Sequence, residues 1–141
     1  MTMSRYLPTP APLATHDAAE FWSWCRRREL RFQKCGACGR HRHPPAPFCP
    51  RCQSDRIEWV PAAGDAHLFS YTVVHHAVSA ALRPYVPYNI AIVEYAALGV
   101  RLVSNVIDLA PADLRIGMKL RLVWQDGEDG TPLPLFEGGE A

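Results

Sequence analysis

The chain has 141 residues, 48% of them hydrophobic and 21% charged, with a formal net charge of +1. These figures describe one small globular domain, or one with a small appendage, whose folding buries roughly two-thirds of the unfolded surface. No apolar run approaches the roughly 20 residues of a membrane span, and the opening MTMSRYLPTPAPLATH lacks the apolar core of a secretory signal. No membrane association and a cytoplasmic location are therefore expected.

Residues 1–14 hold Pro8, Pro10 and Pro12, which block helix and central strand and predict an extended arm. The spacing then predicts a helix over 17–29. Asp17 and Glu20 resemble a capping box with an acid in place of Ser or Thr. Phe21, Trp24, Cys25 and Arg28 fall on one helical face, and Arg26–Arg28 sit where cations suit the negative end of the macrodipole.

Residues 30–56 are rich in cysteine, proline and arginine. From Ile57 the pattern changes to period two, which predicts strands near 57–61, 66–76, 88–96, 100–107 and 118–125. A turn at 113–117 leads into the last of them. Five short strands suggest a small closed barrel of OB type. The acidic, Gly- and Pro-rich tail after Asp126 reads as loop or frayed terminus. The expected organisation is an arm and N-terminal helix over 1–29, a metal-binding ribbon over 30–56, and a barrel with an acidic tail over 57–141. Charge follows the same division, because 26–56 is strongly basic and 57–141 is acidic.

The strongest motif is Cys35-Gly-Ala-Cys38, ten residues, then Cys49-Pro-Arg-Cys52. Each Cys-x-x-Cys is a tight turn that aims two thiolates at one point, and Gly36 and Gly39 free the backbone to turn towards the sulfurs. Two such knuckles complete an all-sulfur tetrahedron, which suits zinc, or iron in a rubredoxin-like site. Such a shell is closed, so its role is structural. Paired disulfides are disfavoured in a chain with no secretion signal. Cys25 is left over and reads as a small buried hydrophobe.

Between the knuckles, His41 and His43 read as exposed hairpin residues, and Arg40 and Arg42 as contacts for an anionic ligand or partner. The barrel carries no phosphate loop, nucleophile elbow or metalloprotease motif, so no catalytic residue is assigned. Alternation puts His75 and His76 on opposite faces of a strand end. The apolar segment 77–88 carries Arg83, Tyr85 and Tyr88 and reads as a partner surface or ligand lip, with His75 beside it.

The order helix, knuckle, proline-rich hairpin, knuckle, barrel resembles the bacterial and archaeal zinc-ribbon/OB-fold family associated with acyl-CoA enzymes, long labelled a domain of unknown function. The matching stretches are Phe21-Trp22, the run from Leu30 to Cys52, Glu58-Trp59, Phe69–His75, Pro87-Tyr88, Val93-Glu94 and Arg115–Gly117. His76 after His75 departs from the pattern, and 77–86 is variable in such proteins.

The resemblance implies a mainly β chain with an N-terminal helix, a rubredoxin-like zinc ribbon and a C-terminal five-stranded OB-fold barrel. It also implies a structural zinc on Cys35, Cys38, Cys49 and Cys52, and a non-catalytic role beside a thiolase- or aldolase-type chain. The expected assembly is a heterotetramer in which this chain stabilises the enzyme chain and helps shape an acyl-CoA site. Two other readings of the same residues are a nucleic-acid-binding ribbon/OB module and an independent acyl-CoA hydratase or thioesterase. The acidic barrel opposes the first, and the absence of a catalytic signature opposes the second.

Overall fold

The computed structural model describes residue 12 and residues 15–139; the expected arm over 1–14 lies almost wholly outside them. Helix α1 runs Ala19–Arg26 and buries Phe21 and Cys25. It is shorter than expected, and the capping box does not form. The cap position is Ala18, without a side-chain bond, so Asp17 and Glu20 each sit one place off register. Backbone bonds from Ala18 and Ala19 N–H to the Thr15 carbonyl (3.0 and 2.9 Å) turn the chain instead. The helix ends with Arg28 in the left-handed region, φ 56°. Arg28 therefore leaves the apolar face and pairs with Asp126 at 3.1 Å.

Three strands form the first sheet: β1 (Arg31–Cys35), β2 (His41–Arg42) and β3 (Ile57–Pro61), in the order β2-β1-β3. Five form the second: β4 (Ala66–Val74), β5 (Tyr88–Tyr95), β6 (Val100–Ser104), β7 (Lys119–Asp126) and β8 (Pro132–Gly138), in the antiparallel order β6-β5-β4-β7-β8. A bulge between Leu68 and Ser70 breaks the β4–β5 register and increases the local bend. The sheet curls until Val106 meets Phe136 in a parallel bridge. The result is a half-barrel of OB type beside a ribbon.

The expected five barrel strands number five, but they are not the same five. Strand 57–61 pairs along its whole length with β1, so it belongs to the ribbon's sheet. The tail expected as loop supplies the missing member. β8 pairs with β7 over seven registered positions, Leu120↔Gly138 to Asp126↔Pro132. Leu135 and Phe136 explain the difference: burying two large apolar side chains outweighs the turn-forming composition around them. The β4 strand also stops at Val74, short of His75 and His76.

One core runs through both sheets. Phe32 of β1, Leu68 of β4, Val93 of β5, Val106 and Phe136 of β8 are fully buried. Phe32 packs tilted against Tyr95 (5.6 Å between centroids) and Tyr95 against Phe136 (6.3 Å). Burial pushes the Tyr95 phenol up to about 12. Cys25 joins this core, and desolvation drives its thiol up to about 12, as befits an inert packing residue.

Candidate metal centre

The two knuckles repeat one backbone design. In the first, Cys35 N–H bonds the Arg40 carbonyl at 2.8 Å and Gly39 N–H bonds the Cys35 carbonyl at 2.9 Å. In the second, Cys49 N–H bonds the Ser54 carbonyl and Gln53 N–H bonds the Cys49 carbonyl, both at 2.9 Å. Both turns need a left-handed residue at the same place. Gly39 has φ +81°, and Gln53 takes φ 66° without a glycine's freedom. Gly36 serves a different end: its φ is ordinary, and a Cβ there would stand 3.0 Å from Arg56 Cβ.

This geometry brings all four sulfurs within 4.8 Å of one another. Cys35 Sγ and Cys52 Sγ are 3.5 Å apart, and Cys38 Sγ and Cys49 Sγ 3.6 Å. A regular tetrahedron with zinc–sulfur bonds of about 2.3 Å has edges of about 3.8 Å, so the sulfurs fit such an ion. Backbone N–H groups point at the buried pair. Ala37 and Cys38 donate to Cys35 Sγ, and Arg51 donates to Cys49 Sγ, each at 3.4 Å. The Cys38 N–H draws the Cys35 thiol down to about 6, and the Cys52 N–H lowers Cys49 in the same way. Thiolate is the ligating form. Four protein sulfurs leave no open position, so the centre is built to hold rather than to react.

The loop between the knuckles is less exposed than expected. His43 packs between the rings of Phe21 (5.0 Å) and Phe32 (5.3 Å), and its Nδ1 is buried without a partner. Burial lowers its pKa to about 4. The hydrophobic pull of two phenyl rings overrides the polar look of Arg-His-Arg-His. Arg40 and Arg42 do not act as a matched pair. Arg40 is exposed, whereas Arg42 is buried, donates from Nη2 to the Ala46 carbonyl at 2.9 Å, and leaves Nε and Nη1 unpartnered.

His75, Arg83, Tyr85 and Tyr88 lie in and around the link from β4 to β5, which carries a 3-10 turn over Ala80–Tyr85. His75 and Arg83 are exposed, and the two tyrosines are half-buried. Arg40 and Arg42 instead border a cavity with Gly99–Arg101, and Arg101 pairs with Glu94 near the far end of β5. At about 3.4 Å per residue, the seven steps from Tyr88 to Tyr95 separate the two groups by about 24 Å. The structure does not bring them into one site. Sequence reasoning also missed Arg101, whose guanidinium bonds Glu94 at 2.8 Å and lies 3.6 Å over the Phe69 ring. The alternation of β6 alone could have shown it exposed. Among the described residues, no helix is long and apolar enough to cross a membrane.

Comparison with known proteins finds two adjoining family models, whose boundary falls within β3. Residues 22–58 match the family model "ChsH2, rubredoxin-like zinc ribbon domain" and residues 59–125 match "ChsH2, C-terminal OB-fold domain". The chain is 39% identical over 127 residues to a "Probable enoyl-CoA hydratase alpha subunit" of Thermomonospora curvata. That match covers 90% of this chain but 39% of the relative, so the chain spans well under half of that longer protein. It is 32% identical over 103 residues to a "DUF35 domain-containing scaffold protein" of Methanocaldococcus jannaschii, covering 70% of this chain and 72% of the relative. Among solved structures it resembles a chain of "Ltp2-ChsH2(DUF35) aldolase", with TM-score 0.82, 38% identity, and coverage of 91% of this chain and 98% of that one. With the ribbon, the barrel and these relatives together, the chain belongs to the DUF35 family of ChsH2-type zinc-ribbon/OB-fold proteins.

Proposed function

We propose that this chain is a non-catalytic, zinc-binding partner subunit of a thiolase- or aldolase-type acyl-CoA enzyme complex. The observation that carries the reading is its likeness, over 98% of the other chain, to a component of an Ltp2-ChsH2(DUF35) aldolase. The name "scaffold protein" carried by the Methanocaldococcus jannaschii relative points the same way. Cys35, Cys38, Cys49 and Cys52 would hold the ion. When bound, zinc cross-links the two knuckles and supplies folding free energy. The closed sulfur shell offers a substrate no coordination position, so the thiolase-like chain would supply nucleophile and base.

In this reading the ribbon, with β3 in its sheet, and the barrel of β4 to β8 share the work at opposite ends of β5. The lip formed by His75, Arg83, Tyr85 and Tyr88 faces an acyl-CoA channel, and the end with Arg40 and Arg42 faces the enzyme chain. The assembly is a heterotetramer in the cytoplasm, where a reducing environment keeps the four cysteines as metal ligands.

Co-expression with the Ltp2 aldolase chain, followed by size-exclusion chromatography with light scattering and elemental analysis, tests the proposal. A stable complex of two chains of each kind, with one zinc per copy of this chain, is expected. Turnover of an acyl-CoA by this chain alone would overturn it.

A further inference from the structure

Strand β6 ends the five-stranded sheet, so only its β5 side is paired over Val100–Ser104. The residues just beyond it tell which groups face the open side. The N–H and C=O of Val106 bond the Asn89 side chain, on the β5 side. The Asn105 carbonyl and the Ile107 N–H bond Phe136, on the opposite side. Backbone alternation carried back along β6 turns the N–H and C=O of Arg101 and Val103 away from β5. Among the described residues, none of the turn, loop or closing backbone bonds reaches Arg101 or Val103.

This edge runs along a groove. A cavity of about 630 Å³ lies between the proline loop and Gly99–Arg101. A second of about 360 Å³ covers Ile92 and Val103 beside Pro44. A third of about 220 Å³ lies between Trp22 and Pro134. All three touch His43, which forms their common wall. One end is basic, with Arg40 and Arg101, and the other is apolar, with Trp22 and Leu133. No acidic side chain among the described residues lines any of the three. Val103 is 67% exposed at the centre. Arg101 is the one charged residue of β6 and is tied to Glu94; neither a proline nor an inward-pointing charge further blunts this edge.

We infer that β6 is the docking edge for an extended segment of the enzyme chain, which adds as a further strand. The inference rests on the partner-subunit reading above and names the surface it uses. Main-chain bonds to Arg101 and Val103 give the segment its register. An apolar side chain of the segment covers Val103 and Trp22, and a carboxylate lies over the exposed Arg40, since Arg101 is held by Glu94. A peptide is the occupant because only another backbone offers donors and acceptors at the spacing of a strand.

The test uses the full chain and the Ltp2 aldolase chain as probe. Amide hydrogen exchange of Arg101 and Val103 is expected to slow sharply on complex formation, while the Ser104 amide, already turned to β5, changes little. Val103→Pro deletes an outward N–H without touching the β5 ladder, and proline is tolerated on such an edge. It is expected to weaken the complex about tenfold or more. Arg40→Glu is expected to weaken it most at low salt. If the native complex forms but exchange at Arg101 and Val103 is unchanged, the docking edge is wrong and the partner reading stands. If the native chain forms no complex with Ltp2, both are overturned. The exchange measurement needs no variant, so a misfolded Val103→Pro chain does not blunt the test.

Discussion

The ribbon and the barrel are both antiparallel β structures, the first built of strands of two to five residues and the second of strands of five to nine, and different forces hold them. The barrel buries Leu68, Val93, Leu102, Leu120 and Phe136 in a shared apolar interior. The ribbon's outer half buries almost no carbon. Its knuckles are hydrogen-bonded turns around four sulfurs, and Phe48 and Ile57 lie exposed beside them. About thirty residues are too few to form a self-sufficient core, so such a segment depends on a metal or on a neighbour. This one uses both: its inner face lends Phe32 to the barrel, and its outer end relies on the sulfur cluster.

The sharpest way to break that contrast is to remove the metal. Cys35→Ser, or a strong chelator, is expected to release zinc and unfold the knuckles, since structural zinc sites carry about 10–16 kcal/mol of apparent binding free energy. The barrel strands are expected to remain protected in hydrogen exchange. Loss of protection in β4 and β5 at the same chelator concentration would show that the two regions fold as one.

The next effect strikes the barrel. Phe136→Ala removes a fully buried ring and is expected to cost about 3–5 kcal/mol in urea denaturation. Zinc content at low denaturant is expected to stay at one per chain. Of comparable size, Asn89→Ala strips the partners from the Val106 N–H and C=O. Leaving buried groups unsatisfied costs about 1–3 kcal/mol each, readable as a lower urea midpoint.

His43 joins the two regions and makes them pH-dependent together. Its pKa falls from 6.5 to about 4 because burial disfavours the imidazolium. The unfolded chain therefore binds a proton that the folded chain refuses. Stability is full above about pH 6.5 and falls as pH drops towards 4, by up to about 3 kcal/mol from this group. His43→Phe is expected to flatten that slope, measured at pH 7 and 5 with zinc in excess. An equal slope in the variant would assign the acid sensitivity to the thiolates alone. The smallest effect belongs to Arg28→Ala, which breaks the exposed pair with Asp126 and is expected to change stability by less than about 1 kcal/mol.

Much of this was legible in the residues themselves. Cys35, Cys38, Cys49 and Cys52 are written as two local turns, so their convergence needed only a hairpin. The alternation of β5 and β6 was equally plain, since period two marks any half-buried strand. The capping box failed because one residue of register decides a cap. Gln53 was not foreseen as the second left-handed residue, because only glycine announces that conformation in a sequence. β3 is legible as a strand, but its sheet is not, because strand pairing is a property of two distant segments. β8 was missed for the same reason: Pro132 and Pro134 argue against a strand locally, and only docking of Phe136 against Val106 and Tyr95 makes one.

By itself, then, the sequence determined the four-sulfur chemistry, the mainly β character and the family pattern, because those reside in spacing and short-range periodicity. Only the tertiary structure decided which strands share a sheet, that His43 and Arg42 lie inside, and that β6 presents a free edge along a basic-to-apolar groove. Each of these depends on contacts between segments far apart in the chain. Their energy comes from area buried together, which no single stretch of residues can report.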